Sequence, residues 1–185
     1  MKKRILRVTF IICAMFAAMI YAPELGQAET VSVVNMHTGT LEKGYRYIDG
    51  CPLDAELQRG IFDICERYNV SYELVMSVIM QESSFRVNVV GDDGESIGLM
   101  QIKHKYHSEL MEELGVCSLY NPLDNVEVGV ALLAGYFERY GEVYDVLMAY
   151  NGGASYANRM IEAGKVSDYA LEVTARASEY TEQNE

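Results

Sequence analysis

The chain has 185 residues and carries 15 Lys and Arg against 27 Asp and Glu, which gives a formal net charge of −12. This acidic balance argues against nucleic acid or an anionic membrane surface as the main partner. The length suits one domain with a sizeable core.

The first 28 residues are typical of a secretory signal peptide. A basic segment (residues 2–7) precedes an apolar run (residues 8–22), and Gly26 and Ala28 are the small residues that a signal peptidase reads. The run has about 15 residues, short of the roughly 20 that span a bilayer, which favours cleavage over an uncleaved anchor. Cleavage after Ala28 removes four basic residues and one acidic residue, leaves a net charge of −15, and predicts a secreted or cell-envelope protein.

The rest of the chain is predicted to form one mainly α-helical domain. Residues 29–50 lack helical periodicity and predict an extended N-terminal lead-in, residues 51–180 form the helical domain, and residues 181–185 form a polar tail. Three cysteines lie in this part, of which one pair could be bridged outside the membrane, and the sequence does not choose among the three pairings. Because their spacing matches no zinc pattern, we expect no structural metal. These cysteines are Cys51, Cys65 and Cys117.

Two helices are predicted in the first half of the domain. The first starts at Pro52 and ends at Asn69. Ser71 is a good N-cap for the second helix, which carries an apolar stripe. Glu82 follows Val78 of that stripe by four residues, so a carboxylate falls on the buried face of the helix.

The position of Glu82 indicates a proton donor. Partial burial and the negative end of a helix both disfavour an ionised carboxylate, so both should raise the pKa of Glu82. A carboxyl that keeps its proton near neutral pH is what protonation of a glycosidic oxygen requires. The structural alternative is a carboxylate paired with a nearby arginine.

The second half of the domain is predicted to contain a loop and further helices. Residues 86–97 form a Gly- and Asp-rich loop, and a short helical segment follows from Gly98. Longer helices are expected at 105–114, from Asn121-Pro122 to Gly141, at 143–150, at about 154–163 and at about 168–180.

Two further segments could form a site together with Glu82. Gly98-Leu99-Met100-Gln101 is a tight apolar turn that ends in an amide. Ala149-Tyr150-Asn151-Gly152-Gly153 places a phenol and an amide where a helix breaks, which suits sugar hydroxyls and N-acetyl groups. Taken alone, the first segment is more simply explained by packing of Met100 in the core. The alternative for the second is a helix stop with a buried tyrosine.

Taken in order, these segments resemble the motifs of a known family. Glu82-Ser83-Ser84-Phe85, Gly98-Leu99-Met100-Gln101-Ile102 and Ala149-Tyr150-Asn151-Gly152-Gly153 look like those of the lytic transglycosylase catalytic domain, of the soluble lytic transglycosylase type. That domain is related to goose-type lysozymes. Asn121-Pro122 also fits, and the resemblance covers roughly residues 54–170. It implies a lysozyme-like helical fold with a substrate cleft.

The resemblance also implies a reaction. The family cleaves the β-1,4 bond between N-acetylmuramic acid and N-acetylglucosamine in peptidoglycan and leaves 1,6-anhydromuramic acid ends. Glu82 would act as the single general acid and base, with no cofactor. We expect a monomer whose partner is the peptidoglycan glycan strand. Its setting stays open between wall remodelling, envelope secretion or conjugation machinery, and phage lysis. The residues implied to line the sugar subsites are Ser83, Met100, Gln101, Tyr150 and Asn151.

Two other functions stay open, and a departure from the family's motifs supports the first of them. Glu95-Ser96 stands where the family often has Gly-Ala, and the loop before it carries Asp92 and Asp93. Inverting glycosidases place a second carboxylate about 6.5–9.5 Å from the acid, where it activates water. Asp92 or Asp93 would take that role in a hydrolytic muramidase, although a solvated Asp-Gly turn is the favoured interpretation. The remaining alternative is a glycan-binding assembly protein without turnover.

Overall fold

The computed structural model describes Tyr45 and residues 47–183, and these residues confirm the mainly α-helical prediction. The signal peptide and most of the lead-in lie outside the described residues. Seven α-helices are present in the described part: α1 Ala55–Tyr68, α2 Tyr72–Ser83, α3 His104–Leu114, α4 Pro122–Tyr140, α5 Val143–Gly152, α6 Ala154–Glu162 and α7 Asp168–Gln183.

A small antiparallel sheet lies between α2 and α3. Its strands β1 (Val90–Gly91), β2 (Ser96–Ile97) and β3 (Ile102–Lys103) are paired in the order β1-β2-β3. A one-turn 3₁₀ helix, Asp92–Gly94, joins β1 to β2. The short helical segment predicted from Gly98 is therefore wrong. Residues 98–101 form the turn between β2 and β3, because both ends of this turn have positive φ angles that an α-helix does not contain.

The helix ends follow local side-chain chemistry. α1 begins three residues later than predicted, because the Asp54 carboxylate caps it by accepting a hydrogen bond from the Leu57 amide at 2.8 Å. The predicted N-cap Ser71 is confirmed, since its hydroxyl oxygen accepts from the Leu74 amide at 3.2 Å. Asn121 likewise caps α4. At the other end of the domain, α7 continues three residues beyond its predicted end.

Helix α2 is the best-buried element of the domain. It packs against α1 and α7, while α4 packs against α1 and α5. The α2 residues Leu74, Val75, Val78 and Ile79 are fully buried, and each such side chain contributes about 1.5–3 kcal/mol of transfer free energy. The position of Glu82, one residue before the end of α2, is consequently fixed by the core.

The described cysteines are free thiols. Cys51 and Cys65 are buried and Cys117 is exposed. Burial raises the pKa of Cys65 well above its ordinary value, which makes this thiol a poor nucleophile. In the part of the chain that the structure describes, no helix is long and apolar enough to cross a membrane. Within the same residues, no group of three His, Cys, Asp or Glu side chains is arranged to hold a metal ion.

Candidate active site

A cavity of about 710 Å³ lies where the end of α2, the small sheet and helices α3, α4 and α5 meet. Glu82 is part of its wall. The other lining residues are Asp92, Ser96, residues 100–103, Tyr106, His107, Leu132, Tyr136 and residues 149–153. A second hollow of about 550 Å³ lies between the start of α1 and residues 85–89, and its one carboxylate, Asp54, is already used to cap α1. The first cavity is therefore the candidate active site.

Glu82 is half-buried and is held by one hydrogen bond. The Tyr169 hydroxyl, on the second residue of α7, donates to Glu82 Oε1 at 2.6 Å. Among the described residues no other group donates to this carboxylate, so Oε2 remains for a ligand. The contact between α2 and α7 thus orients the carboxylate without occupying both of its oxygens.

The pKa of Glu82 is raised above its ordinary value. Burial is the main cause, because it disfavours the charged carboxylate. The hydrogen bond from Tyr169 acts in the opposite direction by stabilising the carboxylate, and the negative charge of Asp92 raises the pKa further. The upward shift predicted from the sequence is present, and it suits a group that must donate a proton near neutral pH.

Helix α4 holds the turn at residues 98–101 in place through one buried amide. Asn125 is fully buried, and its Oδ1 accepts a hydrogen bond from the Met100 amide at 2.9 Å. Its Nδ2 donates to Ile97 O at 2.7 Å and to Leu119 O at 3.1 Å. Gly98 has a φ of +75°, and a Cβ there would lie 2.6 Å from Asn125 Nδ2. The turn therefore requires glycine both for its backbone angle and for the close approach of α4.

Two residues that are predicted to contact sugars also form hydrogen bonds with this turn. The Tyr150 hydroxyl donates to Met100 O at 2.8 Å, while its ring lines the cavity. Gln101 Nε2 donates to Gly98 O at 2.9 Å and to Val89 O at 3.3 Å. Both polar groups fix the cavity wall, and Met100 lies among the lining residues, buried except for 1% of its surface.

Ser83, which the sequence predicts as a subsite residue, is not among the residues that line the cavity. It is buried, and its hydroxyl donates to Ile79 O at 2.9 Å, one turn back along α2. Asn151, in contrast, is exposed and lines the cavity. Within the described residues its side-chain amide has no hydrogen-bond partner, so it is available to a ligand.

The two aspartates of the loop differ in their placement. Asp92 lines the cavity, and its Oδ2 accepts from Lys103 Nζ at 2.7 Å and from Ser96 Oγ at 2.8 Å. These hydrogen bonds, that of Lys103 first, hold the pKa of Asp92 below its ordinary value. Asp93 is exposed and is not among the lining residues, so of these two candidates Asp92 is the one that borders the cavity.

Left-handed backbone at residues other than glycine is concentrated beside the cavity. Six such residues occur in the described part of the chain, and five of them lie in the segment that links Glu82 to Gln101. Each costs of order 1–3 kcal/mol and persists only where the surrounding packing imposes it. The five residues are Ser84, Phe85, Asp92, Asp93 and Gln101.

The sequence prediction missed several residues of this site. Nothing in the sequence indicated that Tyr169 belongs to the site, because a tyrosine in the first turn of an amphipathic helix is common on protein surfaces. Asn125 could have been noticed, since it is an amide on α4 directly beside the apolar residue Val126. Lys103 and His107 were also missed, because their positions depend on the sheet that was predicted as loop and helix.

We expect Tyr169→Phe to move the descending limb of the pH–kcat/KM profile to higher pH. Loss of the hydroxyl removes a bond that stabilises the Glu82 carboxylate, so the pKa of Glu82 rises and the carboxyl stays protonated to higher pH. The variant should also lose about tenfold in kcat/KM, the effect of one hydrogen bond to a charged group. Tyr180→Phe, on the same helix and outside the cavity lining, is the matched control. A descending limb that stays in place or moves to lower pH contradicts the prediction.

Comparison with protein-family models identifies one family along most of the described chain. The model of the transglycosylase SLT domain matches residues 60–172, which include the end of α2, the small sheet and the end of α5. These are the elements that form the cavity.

Two curated proteins with related sequences are a transglycosylase of Enterobacteria phage PRD1 and a membrane-bound lytic murein transglycosylase C of Klebsiella pneumoniae. The first is 37% identical over 92 residues, which cover 50% of this chain and 33% of the phage protein. The second is 29% identical over 115 residues, which cover 54% of this chain and 32% of that protein. The chain thus spans about a third of the length of both relatives.

A solved structure has the same fold. The lytic transglycosylase Slt of Pseudomonas aeruginosa, crystallised as an inactive mutant, superposes with a TM-score of 0.62 at 17% sequence identity. The superposition covers 72% of this chain and 25% of the other. At this level of identity the likeness extends to the fold, and it confirms the lysozyme-like helical prediction.

Proposed function

Because this chain belongs to the transglycosylase SLT domain family, we propose that it is a lytic transglycosylase acting on the glycan strands of peptidoglycan. The observation that carries the proposal is Glu82. It is a half-buried carboxyl with a raised pKa in the wall of a 710 Å³ cavity, and only one of its oxygens accepts a hydrogen bond from the described residues. The bond cleaved is the β-1,4 linkage between N-acetylmuramic acid and N-acetylglucosamine.

One carboxyl group is enough for this reaction. Protonated Glu82 donates its proton to the glycosidic oxygen as the bond from that oxygen to C1 of the muramoyl residue breaks. The resulting carboxylate then removes the proton of the C6 hydroxyl on the same sugar, and O6 forms a bond to C1. The products are a 1,6-anhydromuramoyl end and a free 4-hydroxyl, and Glu82 regains its proton without consumption of water.

The cavity wall supplies groups for the sugars around the cleaved bond. The exposed amide of Asn151 can donate to and accept from sugar hydroxyls or N-acetyl groups. Met100 and the Tyr150 ring provide an apolar surface, and Gln101 stabilises the turn that carries Met100. We leave Ser83 out of this proposed set, since it lies outside the cavity lining and its hydroxyl donates to a carbonyl within α2.

Analysis of the digestion products tests the proposal. Mass spectrometry of purified peptidoglycan treated with the enzyme should show anhydromuramic acid ends, which are lighter by one water than the ends left by hydrolysis. Reducing muramic acid ends would instead indicate a hydrolytic muramidase. Absence of cleavage with retained strand binding would indicate a glycan-binding assembly protein.

Asp92→Asn separates the transglycosylase from the muramidase. Asp92 is paired with Lys103 and has a lowered pKa, which makes it a weak base. We therefore expect the variant to form the same anhydro product, with kcat changed by less than about tenfold. If Asp92 activated water, kcat would fall by about 10²–10⁴-fold. Asp93→Asn, in the neighbouring exposed position, is the matched control.

The site of action follows from the substrate. Peptidoglycan lies outside the cytoplasmic membrane, and the basic and apolar segments of residues 1–28 would direct the chain there as a signal peptide. We propose a secreted or cell-envelope enzyme. N-terminal sequencing of the exported protein should begin after Ala28, and protein retained in the cytoplasm at full length would contradict this location.

A further inference from the structure

The charges around the cavity are unevenly distributed. Among the described residues that line it, Lys103 is the only Lys or Arg, and the carboxyl groups are those of Glu82 and Asp92. His107 also lines the cavity, but burial lowers its pKa, so its imidazole is neutral at pH 7. In a chain with a net charge of −12, a single ammonium group at this position marks where an anionic part of a ligand could bind.

Lys103 is held in position before any ligand arrives. Its Nζ lies 2.7 Å from Asp92 Oδ2, and its side chain is 32% exposed. A lysine ammonium has three N–H donors, and among the described residues Asp92 is the acceptor of one of them. The ion pair therefore fixes the ammonium at the cavity, which reduces the entropy lost on binding, and leaves donors for a ligand.

Lys105 shows that an ion pair with a carboxylate does not by itself place a lysine at the cavity. Its ammonium pairs with Glu95, and its side chain is 46% exposed, but it is not among the residues that line the cavity. The two lysines thus have the same charge, similar partners and neighbouring places in the chain. They differ in their access to the cavity.

His107 adds a second polar group. It follows Lys103 by four residues, lines the same cavity and is half-buried. Within the described residues its ring nitrogens form no hydrogen bond, so a neutral imidazole there offers one donor and one acceptor. A half-buried ring without a polar partner is partly desolvated, and a ligand group can restore the missing bond.

We propose that Lys103, assisted by His107, binds a carboxylate of the peptide attached to the muramoyl residue. This inference rests on the proposed function. The N-acetylated sugars of the strand are neutral, so free carboxylates of the attached peptide are the anionic groups next to the cleaved bond. The enzyme would therefore prefer strands with free peptide carboxylates to strands in which these groups are carboxamides.

The test compares the same strands in two chemical forms. Purified peptidoglycan strands are used directly or after conversion of their peptide carboxyl groups to carboxamides. The wild-type protein should cleave the carboxylate form with a kcat/KM about fivefold higher, the size expected of a partly exposed charge pair. In Lys103→Met this ratio should fall to about one, whereas in Lys105→Met it should stay near the wild-type value.

Because the readout is a ratio within each variant, a general loss of activity does not alter it. Equal cleavage of both forms by the wild-type protein, or an unchanged ratio in Lys103→Met, overturns the carboxylate subsite and leaves the transglycosylase proposal intact. If the wild-type protein cleaves neither form, the proposed function fails and this inference fails with it. A retained ratio in Lys103→Met with a lost ratio in Lys105→Met would assign the site to Lys105.

Discussion

Glu82→Gln is expected to lower kcat for glycan cleavage by at least about 10³-fold, within the range that general acid–base catalysis supplies. An amide has no proton to give to the glycosidic oxygen and cannot later remove the proton of the C6 hydroxyl. Both chemical steps of the proposed mechanism therefore fail in the same variant. The measurement is the rate of release of soluble anhydromuramoyl products from purified strands.

The same variant should fold at least as well as the wild-type protein. Its amide oxygen can still accept the hydrogen bond from Tyr169. Since the pKa of Glu82 is higher in the folded state than in the unfolded chain, ionisation of this group favours unfolding as the pH rises above its unfolded pKa. Glutamine does not ionise, so the free energy of unfolding of the variant should equal or exceed that of the wild-type protein at pH 7.

Glu73→Gln provides the matched control. It makes the same change in the first turn of α2, away from the cavity lining, and should keep wild-type turnover. Turnover by Glu82→Gln comparable to that of the wild-type protein would remove Glu82 from the mechanism. Strand binding without turnover by either protein would instead support the glycan-binding alternative.

Asn125→Ala is expected to cost about 3–5 kcal/mol of unfolding free energy, at the upper end of single substitutions. The change leaves the buried Met100 amide, the buried Leu119 carbonyl and the partly buried Ile97 carbonyl without this partner, and it opens a space between α4 and the sheet. Because the turn at residues 98–101 forms part of the cavity wall, glycan cleavage should fall as well. Denaturant unfolding monitored by circular dichroism gives the free energy of unfolding.

Asn121→Ala is the control from the same helix. Asn121 is exposed, and its side chain accepts hydrogen bonds from the Leu123 and Asp124 amides as the N-cap of α4. Loss of such a cap costs about 1 kcal/mol. If the two variants were equally stable, the buried amide of Asn125 would not be what holds the turn.

The sequence by itself determined where the seven long helices lie and singled out Glu82 as the candidate centre of the site. Helix starts and stops depend on neighbouring residues, so Ser71, Asn69 and Asn121 marked real helix ends. Glu82 could be singled out because a carboxylate on an apolar stripe contradicts the local pattern. The ordered motifs added the family and the cavity residues Met100, Gln101, Tyr150 and Asn151, which are 18 or more residues from Glu82 in the chain.

Only the tertiary structure decided how these residues interact. Tyr169 donates a hydrogen bond to Glu82, 87 positions away in the chain, and Asn125 accepts one from the Met100 amide, 25 positions away. The periodicity of apolar residues carries no information about contacts between residues so far apart in the sequence. The same applies to the pairing of Asp92 with Lys103, which depends on the register of three two-residue strands. The placement of Ser83 depends on packing in the same way. A helical serine can donate to its own backbone, and Ser83 does so to Ile79 O, outside the cavity lining.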